Sequence, residues 1–254
     1  MLADRNVTQI FKALFGPQHY VALREMVKVY PDFLGNLKRY LTGGGEYPYN
    51  IRLRTPTGMV APKLDSQHDL RTVNEVFCRR DYPADNAIRT VVDIGSNIGI
   101  SALFFLTRNN LSECYLFEPD ERNTARLKHN LAAYDGRYHL TEKAISNEAG
   151  TVQFGIEPTG RYGGIGVATA RQITVECLEI NSVLRDVLKA HDFIDILKLD
   201  TEGVEIRTVE AIEPDILKRI KNIYMEAEPK RPLHREFFRQ KQYGSVCQLA
   251  NLNS

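Results

Sequence analysis

Asp93, Gly95, Asn97 and Gly99 stand at alternate positions in VVDIGSNIGISALFFL (residues 91–106), where an apolar strand runs into a sharp turn and a helix begins. Glycines suit a turn that a ligand approaches closely, because no Cβ intrudes, and the helix start just beyond offers unpaired N–H groups. Twenty-five positions after Asp93 comes Glu118, at the end of a second strand in YLFEPD. A carboxylate there can accept from both hydroxyls of a ribose. The glycine spacing is not the G-x-G-x-x-G of dinucleotide sites, since Asn97 and Ile100 occupy its second and third glycine positions, and G-x-x-x-x-G-K-[ST] is absent. An adenosine-containing ligand that is not held by a pyrophosphate is the expectation.

A second concentration of chemistry lies in LKLDTEGVE, residues 197–205. Lys198 and Asp200 are two apart and project to the same side of a strand, while Glu202 and Glu205 fall in the first turn of the following helix. So many ionisable groups at a strand end are costly to desolvate unless paired. Two readings stay open. One is a Lys198–Asp200 ion pair with glutamates favoured by the helix dipole. The other is an acceptor-facing cluster in which Asp200 or Glu202 takes a proton and Lys198 orients the carboxylate. Glu226 and Glu228 end a later strand and are either further acceptor contacts or solvated carboxylates. Nothing in the spacing of these acids requires a metal ion.

The segments Asp93–Gly99, Phe117-Glu118-Pro119 and Leu197–Glu205 together resemble the motif set of FkbM-type methyltransferases. IRLRTPTG, Asp69 and EVFCRRDY (75–82) add a weaker echo upstream. The resemblance implies the Rossmann-like class I methyltransferase fold and S-adenosylmethionine as cofactor, with S-adenosylhomocysteine as product. It implies methylation of a hydroxyl of a small molecule or sugar. It places Gly95, Ser96, Asn97 and Gly99 along the methionine part of the cofactor, with Asp93 supporting the turn. Glu118, followed by Pro119, would hold the ribose, and Ala144 and Ile145 would flank the adenine. Asn123 would touch the cofactor or cap its own helix. Asp200 would lie beside both cofactor and acceptor, with Asp200, Glu202 and Lys198 as the catalytic set. A macromolecular methyl acceptor, or a non-catalytic adenosine-ligand binder, are the alternatives.

The elements that must hold these residues follow from periodicity. From residue 89 strand, turn and helix alternate, which calls for an α/β domain (89–254) built on a mostly parallel twisted sheet with helices on both faces. Ile180, Val183, Leu184 and Val187 mark an amphipathic helix before the strand Phe193–Leu199. Tyr138–Ile145 reads as one strand, and Leu233–Arg239 as a helix. TGRYGGIGVATA (159–170) reads as a hairpin tip or a lid. The chain stops soon after Leu249, so either the last strands lie elsewhere than this reading puts them, or the C-terminal hairpin with the seventh strand is short, absent or formed with another subunit of a homo-oligomer. Residues 1–88 read as a small α+β cap, with helical spacing at Val7, Ile10, Phe11 and Leu14 and again at Leu23, Met26, Val27 and Tyr30. A third helix over Leu34–Leu41 is stopped by Gly43–Gly45.

Composition narrows the function classes. Of 254 residues, 33 are basic and 32 acidic, so the net charge of +1 gives no global attraction to nucleic acid or to an anionic membrane. No apolar run approaches the ~18 residues of a membrane span. Cys78, Cys114, Cys177 and Cys247 show no CxxC pairing, which reads as reduced thiols of a cytoplasmic protein.

Overall fold

The computed structural model describes residues 17–157 and 163–253, and the chain divides into two compact units, Met1–Pro83 and Ala84–Ser254. The helical spacing at Val7–Leu14 lies outside the described residues. In the first unit, α1 (Pro17–Val29) and α2 (Phe33–Thr42) precede β1 (Tyr49–Asn50), β2 (Leu53–Thr55), β3 (Gly58–Val60) and β4 (Lys63–Leu64). Next comes α3 (Gln67–Val73), which runs into a π-helical turn, Asn74–Arg79. Asp32 caps α2 by accepting the Gly35 N–H, and Gly43 ends it in the left-handed conformation, as the glycine run predicts. The face of α1 differs from the expected one. Met26, Val29 and Tyr30 are buried, whereas Leu23 and Val27 are exposed, as are Leu34 and Leu41 of α2.

The second unit opens with β5 (Thr90–Ile94), α4 (Ile100–Leu106), β6 (Glu113–Phe117), α5 (Glu121–Asn130) and β7 (Tyr138–Thr141). A four-stranded excursion follows, of β8 (Ala144–Ser146), β9 (Gly150–Ile156), β10 (Gly163–Ile165) and β11 (Arg171–Glu179), in the order β10-β9-β11-β8. The main sheet resumes through α6 (Ile180–Ala190), β12 (Ile194–Leu199), α7 (Glu205–Glu210), α8 (Pro214–Leu217) and β13 (Ile220–Met225). It closes with β14 (Phe238–Tyr243) and β15 (Val246–Asn251).

The main sheet has seven strands in the order β14-β15-β13-β12-β5-β6-β7. β5, β6, β7, β12 and β13 are parallel, and β15 enters antiparallel between β13 and β14. This is the class I methyltransferase fold. Strand order reverses between β5 and β12, and the crevice beyond their carboxyl ends is where such sheets bind ligands. Ile180, Val183, Leu184 and Val187 are buried as the periodicity predicts and pack with Val92, Leu197, Ile223 and Leu249 in one core.

Three expectations are corrected. The seventh strand is present within this chain, so of the alternatives for the chain end the displaced strand holds: β14 occupies Phe238–Tyr243, and a two-residue turn at Gly244 (φ 58°) leaves room for a full hairpin with β15. Tyr138–Ile145 is not one strand: the chain leaves the main sheet after Thr141, and Ala144–Ser146 pairs in parallel with β11 of the small sheet. Leu233–Arg239 is not a helix. His234 accepts from the backbone N–H of Phe237 and Phe238, but its own left-handed backbone (φ 45°) prevents the turn from propagating, and Phe238 opens β14.

Candidate functional site

The turn after β5 is tied to β6 from several directions. Gly95 and Ser96 donate their N–H groups to the Phe117 carbonyl, and Ser96 Oγ donates to the Asp93 carbonyl (2.7 Å) while accepting the Phe117 N–H (3.2 Å). Ser96 therefore secures the turn with its side chain. Asn97 takes up φ 48° and Gly99 φ 83°. The glycines are needed first for the chain's own packing. A Cβ on Gly95 would sit 1.9 Å from the Asp200 carbonyl oxygen, and one on Gly99 would press on Leu127 and Leu131 at 3.1–3.3 Å. The carboxyl-end loops of β5 and β12 thus touch, and Asp200 N–H donates to the Ile94 carbonyl (3.0 Å).

Asp93 is fully buried. Its carboxylate accepts from Lys198 Nζ (2.9 Å) and from Ser101 Oγ (2.6 Å). Lys198, 2% exposed, also donates to the Gly95 carbonyl (3.0 Å) and lies 3.6 Å from Asp200 Oδ2. Burial alone would lower the lysine pKa, but the Asp93 and Asp200 charges outweigh it and hold it above the ordinary value. One ammonium thereby joins the end of β5, the turn and the acidic loop. Ser101 was not anticipated; the available signal is a hydroxyl in the first turn of the helix that follows the strand aspartate.

Glu118 ends the β6 segment with only 4% of its surface exposed. One carboxylate oxygen accepts the Asn97 N–H (2.9 Å), and the other accepts the Asp120 N–H (2.9 Å) and lies 3.5 Å from Asn123 Nδ2. Burial pushes its pKa up to about 7 against the pull of these donors. An ionised carboxylate offers about four acceptor sites; these three donors leave one, on the oxygen that accepts the Asn97 N–H, and it can take a ligand hydroxyl, so the residues present fit a ribose-bearing ligand. Asn123 does not cap α5, whose N-cap is Asp120, accepting the Arg122 N–H; it lies against Glu118 instead. Pro119 is buried between Glu118 and Asp120. Ala144 and Ile145 are buried in β8 of the small sheet.

In the loop after β12, Asp200 is 30% exposed at its side chain and Glu202 is exposed with its backbone at φ 57°. Glu205 turns inward: it is buried, and its two oxygens accept the N–H groups of Thr201 (2.7 Å) and Gly203 (2.9 Å). It is a structural member of the cluster, placed there because an acid at the start of α7 can satisfy loop amides that would otherwise be orphaned. Thr201 Oγ1 is buried with no hydrogen-bond partner among the described residues. Glu226 and Glu228 are exposed beyond β13. Among the described residues no group of three His, Cys, Asp or Glu side chains is arranged to hold a metal ion. The geometry therefore brings together Asp93, Gly95, Ser96, Asn97, Glu118, Asn123, Lys198 and Asp200. The expected lid or hairpin at 159–170 is described only from Gly163 onward.

The family described as the methyltransferase FkbM domain matches residues 93–245. The 2-O-methyltransferase NoeI of Sinorhizobium fredii is 39% identical over 64 residues, 25% of this chain and 26% of that protein. The crystal structure of methyltransferase FkbM from Methylobacillus flagellatus is similar with a TM-score of 0.46 at 13% identity, covering 96% of this chain and 60% of that one. A putative caffeoyl-CoA O-methyltransferase from Staphylococcus aureus is similar with a TM-score of 0.39 at 10% identity, covering 65% of this chain and 77% of that one. The NoeI match thus spans about a quarter of that protein's length, and this chain about three-fifths of the FkbM structure's.

Proposed function

Because this chain belongs to the FkbM methyltransferase family, we propose that it transfers a methyl group from S-adenosylmethionine to a hydroxyl oxygen of a sugar or another small molecule. The observation that carries this reading is the direct contact between the two loops at the strand-order reversal. Gly95, in the turn that would follow the methionine part of the cofactor, packs against the carbonyl of Asp200, the first acid of the acceptor-facing loop. Donor and acceptor would then meet without any large closure. The name of the NoeI relative, a 2-O-methyltransferase, supports oxygen as the acceptor atom.

When bound, S-adenosylmethionine supplies an already activated methyl electrophile. The chain's residues then have three tasks. Glu118 holds the nucleoside, and the backbone of residues 95–99 orients the methionine part. Asp200, steadied at 3.6 Å by the Lys198 ammonium, and Glu202 align the acceptor hydroxyl. One of these two carboxylates receives the hydroxyl proton as the oxygen attacks, a general-base contribution of about 10²–10⁴-fold. No described residue must form a covalent intermediate. The near-zero net charge supports a neutral acceptor over a nucleic acid, and four buried free thiols support a reducing, cytoplasmic setting.

Calorimetry with S-adenosylhomocysteine, followed by transfer of labelled methyl to a panel of neutral methyl glycosides, tests the proposal. Wild type binds the nucleoside and labels at least one glycoside, while Asp200→Asn and Glu202→Gln bind it equally and lose most turnover. No heat with S-adenosylhomocysteine refutes the cofactor. Full turnover in both variants refutes the proton acceptor.

A further inference from the structure

Glu202 has a backbone conformation that a non-glycine residue rarely adopts, φ 57°. Such a conformation persists only where the surroundings impose it. Two contacts do so. The buried Glu205 carboxylate spans the loop, accepting the Thr201 N–H with one oxygen and the Gly203 N–H with the other. The residue between those two amides is Glu202. The second contact is with β10, an edge strand of the small sheet. A Cβ on Gly164 would lie 2.9 Å from both Cβ and the carbonyl oxygen of Glu202, and 2.7 Å from Val167 Cγ2. β10 reaches the loop this closely only because position 164 lacks a side chain. Gly164 itself does not have a positive φ, so conformational freedom does not explain the glycine. Close approach does.

We propose that Glu205 and Gly164 are positioning residues that together set the placement of Glu202, and that the small sheet is therefore part of the acceptor-aligning machinery. Neither touches the reacting atoms; both act through Glu202. The proposal rests on the reading that Glu202 faces the acceptor. It adds that a residue some forty positions upstream, in a separate sheet, helps to fix where that carboxylate stands.

The test uses the full-length protein with Gly164→Ala and Glu205→Gln, each alone, and Gly164→Ala combined with Glu202→Gln. The expected result is S-adenosylhomocysteine affinity within about twofold of wild type and an unchanged KM for S-adenosylmethionine. Turnover on the glycoside that wild type labels falls about 10- to 100-fold, the size of effect that small misplacements produce. Gly164→Ala adds little to Glu202→Gln, because the two act through one group. Amide exchange at Thr201 and Gly203, which needs no acceptor, accelerates in both single variants. Wild-type turnover in the two single variants overturns the proposal, as do losses that multiply in the combined variant. Unchanged exchange at both amides overturns it even if glycosides are the wrong acceptor class. Wild-type turnover in Glu202→Gln alone removes Glu202 from the reaction, and this proposal with it, while leaving the cofactor assignment standing.

Discussion

Glu118 is subject to two influences that pull on its proton in opposite directions. As the anchor of the turn it accepts two backbone N–H groups, which favours the ionised form, yet burial dominates and lifts its pKa from 4.5 to about 7. The consequence for stability has a definite sign. Between these two values the folded protein holds the proton and the unfolded chain does not, so stability falls as pH rises from about 4.5 to about 7, by roughly 3 kcal/mol in total. Urea unfolding of wild type and Glu118→Gln at pH 5 and pH 8 checks this: the stability of wild type relative to the variant is expected to decrease at the higher pH. A difference that does not change with pH contradicts the assignment. Nucleoside hydroxyls donate best to the ionised form, so affinity for S-adenosylhomocysteine is expected to strengthen over the same interval. Lys198 shows a related economy. Its ammonium neutralises a fully buried aspartate, holds a turn carbonyl and reaches Asp200, so a residue that reads in sequence as a catalytic helper is first a tie between two strand ends.

Among the elements, the junction of β5 and β12 is the least tolerant. Gly95→Ala would place a Cβ 1.9 Å from a backbone oxygen at φ 78°, combining left-handed strain with overpacking against main chain that cannot swing away. A loss of about 2–5 kcal/mol is expected, read as a lower melting temperature together with lost S-adenosylhomocysteine binding. Wild-type behaviour would mean the two loops are not in contact. This junction was legible in the sequence because each half is a short contiguous motif: Asp93–Gly99 marks strand, turn and helix, and Leu197–Glu205 concentrates charge where a strand ends. The inward turn of Glu205 was less legible, since four carboxyl and amino groups in a row do not say which face solvent. Gly164 was not legible at all, because its partner Glu202 is distant in the chain and the contact arises from packing. The helix expected at Leu233–Arg239 fails for a local reason that composition hides: apolar spacing persists, but His234 takes a left-handed conformation.

Across the whole chain, the alternation of strand and helix from residue 89 foretold the parallel sheet, and strand patterns at Thr151–Phe154, Ile173–Cys177 and Ser245–Leu249 match β9, β11 and β15. β14 and the pairing of Ala144–Ser146 with the small sheet were beyond periodicity. Turn chemistry at Gly244 and the chain's departure after Thr141 decide those features. The cysteines belong to this scale because they are spread through both units. All four are free and buried, and burial raises every thiol pKa, so the reactive thiolate is suppressed. Labelling with a thiol reagent is expected to be slow in the native protein and to reach four groups per chain only on unfolding. Rapid native labelling of any one would place it in an open environment.

The position of β15 governs how the molecule can be made. Residues 246–251 are the wedge that joins β14 to β13, so the piece that seals the flank of the five parallel strands comes last of the described strands in chain order. Without it the rim of Ile220–Met225 is a bare template of unpaired amides and carbonyls, the kind of surface that recruits stray strands. A released chain truncated between residues 226 and 245 therefore has a nearly finished sheet with an adhesive border.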